Sequence, residues 1–207
     1  MTSFYDELKV AAQLFRLEVP RAFTRLGNGQ SIPNSIGTPF WRGTVQTPRR
    51  HHQDALHEVD LLRLERPGET FLIFDKRFNG PRMDPGGTIL GSATPTIHTL
   101  NADNRRMRVG GLPPGYPLRK GDYIGWQYGS SPVRYALHRL AEDVTASGAG
   151  LTPLFAVEPH IRVGASTGLS VQLVRPVCRA QVSGSDYGYA ARVFTEGASF
   201  EWEETLR

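Results

Sequence analysis

Residues 118–162, LRKGDYIGWQYGSSPVRYALHRLAEDVTASGAGLTPLFAVEPHIR, contain three apolar runs at 123–126, 133–140 and 154–161, each bounded by Gly, Ser or Asp clusters. Runs this short, punctuated this way, spell strand, turn, strand, turn, strand. Alternation assigns the faces: Val133, Tyr135 and Leu137 are expected on a buried side, with Arg134 and His138 opposite. In the third run Phe155, Val157 and Ile161 oppose Glu158 and His160. Arg119-Lys120-Gly121-Asp122 sets a tight turn into the first strand, and Ser147-Gly148-Ala149-Gly150 supplies the freedom a hairpin needs. The expectation is a small antiparallel β barrel or meander.

The rest of the chain reads as mainly β around this module. Leu14 to Arg49 carries strand residues broken by the turn signal Gly27-Asn28-Gly29, and Trp41 to Val45 reads as a strand ending at Pro48. Residues 4–15 read as a short helix or an arm. The spacing of Ala55, Val59 and Leu62, widened by Leu56 and Leu64, predicts one helix over 51–65, stopped by Pro67-Gly68. GETFLIFD at 68–75 is a compact strand. The composition then changes at Arg77–Gly87 and again at Val163–Gly168, before strands resume in LSVQLVRPVCRAQV and ASFEWEETL. A discontinuous layout follows: an outer domain of residues 1–85 plus 172–207, and an inserted β module over 86–171. An open loop of that length would cost roughly 4 kcal/mol to close, a cost that a folded insert with adjacent ends avoids.

Charge and cysteine count narrow the function classes. The 22 Gly and 15 Pro among 207 residues fit a loop-rich folded chain, and no apolar run approaches a membrane span. The N-terminus lacks a signal peptide's basic start and apolar segment, so synthesis and assembly in the cytoplasm are expected. The net charge of +4 is almost all arginine, lysine occurring only at Lys9, Lys76 and Lys120, and it is scattered rather than gathered into a nucleic-acid block. The single Cys178 excludes an internal disulfide and any multi-cysteine metal site, and its setting in VQLVRPVCRAQV is that of a small buried strand residue.

Each candidate for chemistry has a plainer reading. His51, His52 and His57 with Asp54 and Glu58 suggest a metal, but five- and six-residue spacings share no helix face and His-Glu-x-x-His is absent, so a solvated helix start is expected. His138 and His160 fall on expected polar strand faces without a nucleophile elbow or a catalytic cysteine context. Asp75 and Asp84 bracket a loop beside Arg77 and Arg82 and read as surface ion pairs. GGTILG and GGLPPG lack a phosphate loop's Lys-Ser/Thr and read as turns. Trp126 and Tyr128 are placed at a loop rim, as an interface or as a face for sugars or single strands. No catalytic, cofactor-binding or metal residue is assigned.

The pattern IPNSIGTPFWRGTVQTPRRHHQDALHEVDLLRLERPGETFLIFD, then DPGGTILGS, LRKGDYIGW…YALHRLAEDVTASGAG…FAVEPHIR and VQLVRPVCRAQV…SFEWEETL, resembles the distal tail proteins of tailed phages and gene transfer agents. The resemblance implies a β-sandwich-like domain with a helix, an inserted barrel of OB or similar type, and a homohexameric ring. That ring joins the tail tube protein to the baseplate hub protein, with fibre or receptor-binding proteins as further partners. It implies an architectural virion protein of the tail tip, not an enzyme, with no cofactor, no specific nucleic-acid binding and no membrane insertion. Arginine-rich loops and an N-terminal arm are expected to grip stacked rings. The alternative is a nucleic-acid- or carbohydrate-binding β barrel.

Overall fold

The computed structural model describes residues 4–51, 57–188 and 193–206, with the side chains of 57–59 left aside. The elements in order are α1 (Phe4–Glu7), β1 (Ala12–Glu18), β2 (Arg21–Arg25), β3 (Ser31–Ser35), β4 (Phe40–Gln46), β5 (Arg50–His51), α2 (His57–Leu64), β6 (Phe71–Ile73), β7 (Thr96–Leu100), β8 (Arg106–Gly110), β9 (Pro117–Leu118) and β10 (Tyr123–Tyr128). They continue with β11 (Arg134–Leu140), β12 (Val144–Thr145), β13 (Phe155–Glu158), β14 (Val171–Gln172), β15 (Cys178–Asp186), β16 (Phe194–Thr195) and β17 (Ser199–Glu204). The chain is mainly β, with 42% of residues in strands against 5% in helix, arranged as a half-barrel and a nearly closed barrel. Among the described residues no helix is long and apolar enough to cross a membrane.

Two compact units share the chain, Met1–Phe71 with Ala180–Thr205, and Leu72–Arg179 with Leu206–Arg207. The sequence expectation placed 72–85 and 172–179 in the outer domain, whereas here both segments group with the barrel. The cause lies in their side chains: Asp75 and Phe78 engage Tyr123, the Arg82 amide donates to Asp122, and Arg175 stacks on Phe74.

A five-stranded sheet runs β1-β4-β17-β15-β6, with β1, β4 and β17 in the first unit. Strand β4 lies between β1 and β17, which supplies the partners that the sequence left open. Phe200 and Trp202 alternate with charged residues along β17 and are buried. Phe15, opposite Gly43, has its ring 5.4 Å from that of Trp41 and 4.7 Å from that of Trp202. Glycine at 43 is a matter of space: a Cβ there would run into the Leu14 carbonyl. Gly43→Ala is expected to cost about 2–4 kcal/mol, read by urea unfolding, because the backbones of β1 and β4 must part to admit a methyl group.

Among the described residues two helices occur, α1 being the short helix that residues 4–15 allowed. His51, the first residue of the predicted helix, is instead a strand residue of β5 opposite Phe194 of β16. His52, Asp54, Ala55 and Leu56 lie outside the described residues. Leu61 and Leu64 form the buried side of α2, while Leu62 is 55% exposed, so the apolar stripe is offset from the one predicted. The N-terminal segment is no free arm within the described residues, since Tyr5 and Leu8 are buried and Phe4 packs edge-on against Phe71 at 6.2 Å.

The second unit holds the six-stranded sheet β14-β10-β11-β13-β8-β7. A bridge between Thr96 and Ser170, with the amide of Ile97 donating to the Leu169 carbonyl and that of Val171 to the Pro95 carbonyl, carries the pairing from β7 back toward β14 and nearly closes the barrel. Its interior holds Ile124, Trp126, Tyr128, Ala136, Leu140, Phe155 and Val157. The inward face of β11 is therefore Ala136, His138 and Leu140, one residue out of step with the predicted face; such a slip exchanges inside for outside along a whole strand.

Candidate functional site

The barrel disposes of most of the polar residues singled out by sequence as core or as pins for loops. His138 is buried and its ring stacks on Trp126 at 4.5 Å and 14°. Its Nδ1 lies 2.8 Å from the Pro159 carbonyl, so the nitrogen carries the proton and donates, leaving Nε2 bare and unpartnered among the described residues. Burial drives the His138 pKa down to about 4, the Pro159 carbonyl opposing and the charges of Arg162 and His160 assisting. The expected polar-face histidine is thus a core histidine. His160 sits half-buried past the end of β13. Trp126 and Tyr128, expected at a rim, are buried inside the barrel and offer no ligand face. Cys178 is fully buried at the start of β15.

Asp75 forms the ion pair with Arg77 that the sequence suggests, but from a buried position, and Asp84 departs from that reading altogether. Asp75 is buried and accepts from Arg77 through Nε at 2.9 Å, Nη2 at 2.8 Å and the backbone amide at 3.0 Å, and from the Tyr123 hydroxyl at 3.2 Å. Burial acts to raise its pKa, but these donors outweigh it and hold the carboxyl below its ordinary range. Asp84 does not pair with Arg82. It is buried and accepts from the amides of Ile89 at 2.8 Å and Leu90 at 2.9 Å and from the Tyr116 hydroxyl at 2.8 Å. Here too burial pushes upward and the donors win, so the pKa is lowered. Asp122, which the sequence offered only as a turn residue, binds the amides of Arg82 at 3.0 Å and Arg119 at 2.8 Å. These three carboxylates fasten the connections around the barrel wall, and their lone pairs are directed at protein donors.

An open cleft on the barrel wall is lined by Tyr135, Gln127, Gln172, Thr94 and Arg175 among others. The Arg179 guanidinium stands 5.3 Å from the Tyr135 ring centroid, over the aromatic face that a sugar or base would use. Among the described residues no group of three or more His, Cys, Asp or Glu side chains converges as a metal site requires. His52 and the side chains of His57 and Glu58 lie outside that description.

The conspicuous surface is on the first unit. Every residue of β2 and β3 is exposed, and among the described residues the hairpin pairs only with itself, from Arg21 opposite Ser35 to Arg25 opposite Ser31. Its turn is closed by the Leu26 amide on the Gln30 carbonyl at 2.8 Å and the Gly29 amide on the Leu26 carbonyl at 2.9 Å, as Gly27-Asn28-Gly29 foretells. Phe23 is 61% exposed and Ile36 68%, with Val19, Leu26 and Ile32 also exposed. Register places Arg21, Phe23, Arg25 and Pro33 on one face, and Ala22, Thr24, Ile32 and Asn34 on the other. No Asp or Glu occurs from residue 19 to residue 53, a stretch with five arginines. The sequence reading found the turn but not the exposure, for which Arg-Ala-Phe-Thr-Arg and Ser-Ile-Pro-Asn-Ser carry no local signal.

Comparison with protein-family models and with curated proteins finds no match for this chain.

Proposed function

We propose that this protein is a self-associating structural subunit, a ring component of the tail tip of a phage-like particle that connects a tail tube to a baseplate hub. The observation that carries the reading is the exposed β2–β3 hairpin. An isolated two-stranded ribbon is marginal in water, and one that also exposes Phe23, Ile32 and Ile36 gains stability by being covered. A projecting element that binds elsewhere on an identical copy makes a head-to-tail contact, which closes into a ring when the rotation allows. The buried carboxylates support the same reading, because Asp75, Asp84 and Asp122 are committed to loop donors. The sequence resemblance adds the tail tube and baseplate hub as neighbours.

Sedimentation velocity on the full chain tests the reading. A species that grows with concentration toward a single closed multiple of 23.0 kDa is expected, six being the number that the resemblance implies. A monomer persisting to about 1 mM, where an interface weaker than about 4 kcal/mol would be all that remains, would count against it. The nucleic-acid alternative predicts single-strand binding that weakens steeply with salt.

A further inference from the structure

The tip of the β2–β3 hairpin carries Asn28-Gly29, one of two Asn-Gly pairs in the chain, the other being Asn79-Gly80. We propose that Asn28 is a site of spontaneous covalent modification, at which the Gly29 nitrogen closes on the Asn28 side chain and aspartate or isoaspartate replaces the asparagine. The site stands on the local structure alone, and its effect on assembly rests on the ring reading.

The reaction needs no enzyme and no redox partner. The Gly29 nitrogen, its proton given up to base, attacks Cγ of Asn28; the N–Cγ bond forms, the Cγ–Nδ2 bond breaks and Nδ2 leaves as ammonia. Water then opens the cyclic imide, at the side-chain carbonyl to give aspartate or at the main-chain carbonyl to give isoaspartate. Closing that ring requires an unshielded nitrogen and a backbone free to rotate. The hairpin tip offers both: residues 21–30 are all exposed, and nothing lies within 4 Å of where a Cβ on Gly29 would sit. The Asn28 side chain folds back along this same peptide, its Oδ1 accepting from the Gln30 amide at 3.0 Å. The Gly29 amide donates to the Leu26 carbonyl at 2.9 Å, an exposed turn bond of the kind that opens locally at little cost. Asn79-Gly80 is the contrast within the same chain. Gly80 is buried, a Cβ there would lie 3.0 Å from the Asp84 carbonyl and the Gly86 amide, and the Asn79 carbonyl is held by the Gly86 amide at 2.8 Å. Modification at Asn28 puts a carboxylate among five arginines, in a stretch that has no Asp or Glu from residue 19 to residue 53. Isoaspartate also lengthens the main chain at the turn that sets the register of the hairpin.

The test incubates the dilute full chain at 37 °C and pH 8 and follows both asparagines by peptide mapping, with isoaspartate counted by enzymatic methylation. The reference is the free peptide Arg-Leu-Gly-Asn-Gly-Gln, residues 25–30. Asn28 in the folded chain is expected to convert within about tenfold of the peptide's rate, and at least about tenfold faster than Asn79. Conversion slower than that limit, or no faster than at Asn79, would overturn the proposal. Asn28→Gln, at an exposed position, should match the wild type by circular dichroism and lose the residue-28 product. Sedimentation velocity then compares fresh and aged chains: aged wild type is expected to assemble about tenfold more weakly, and aged Asn28→Gln as well as fresh. Equal assembly of fresh and aged wild type would overturn the effect on assembly and leave the ring reading standing. A fresh wild type that stays monomeric overturns the ring reading, while the mapping still decides the modification.

Discussion

Replacing Asp84 with alanine is expected to destabilise the protein by about 4 kcal/mol, measured by urea unfolding at pH 7. The carboxylate serves three donors in a buried setting, the amides of Ile89 and Leu90 and the Tyr116 hydroxyl. Alanine leaves all three without an acceptor, and an unsatisfied buried donor costs about 1–3 kcal/mol each, reduced where the loop relaxes toward water. Tyr116→Phe removes one donor together with its need for a partner and is expected to cost only about 1 kcal/mol. The two changes share one hydrogen bond, so the double variant should be less destabilised than the sum of the singles. A loss below about 1 kcal/mol for Asp84→Ala would mean that the turn over 84–91 does not depend on this carboxylate.

Acid should weaken the fold in two stages, the first through His138. Its pKa in the folded protein is about 4 against an ordinary 6.5, so between these values the unfolded chain binds a proton that the folded one refuses. The neutral ring's contribution is present above pH 6.5 and is lost as pH falls toward 4. The gap corresponds to about 3 kcal/mol at 1.36 kcal/mol per pH unit. Asp75 and Asp84, lowered from 3.8, add a second stage in which stability falls as pH drops below about 4. His138→Asn keeps an N–H donor for the Pro159 carbonyl while removing the titration. Its stability between pH 7 and pH 4 should be nearly flat, whatever its absolute value at pH 7. An unchanged slope in that variant would place the acid sensitivity on another group.

Strands were legible in this sequence wherever one face is wet. Along β17 Phe200 and Trp202 alternate with glutamates because a single face of that strand is buried, and the glycine turn between β2 and β3 declares itself by residue type. The barrel strands hid their facing because both sides are covered. Tyr123 and Leu137 are buried on the outer side of β10 and β11, with the Phe78 ring 5.1 Å from that of Tyr123 and the Arg139 guanidinium 4.5 Å away, while Trp126 and Ala136 are buried inside. With no wet side to set the phase, the charged character of Arg134 and His138 pointed to the wrong face. Asp75 pairs with Arg77 as proximity in sequence suggests, though from a buried position, whereas Asp84 does not pair with Arg82, its partners being two amides and a hydroxyl 32 residues away. Local sequence does not reveal where a loop amide ends up.

The hairpin's importance was equally invisible, since Arg-Ala-Phe-Thr-Arg is as good a core strand as an exposed one. Only the fold shows β2 and β3 pairing with each other and, among the described residues, with no further strand.

Single-particle electron microscopy of the assembled wild-type protein addresses this directly. A closed ring with rotational symmetry is expected, in which residues 21–35 of each copy lie against the next. Dimers related by a twofold axis, or any assembly in which Phe23 remains in water, would contradict it.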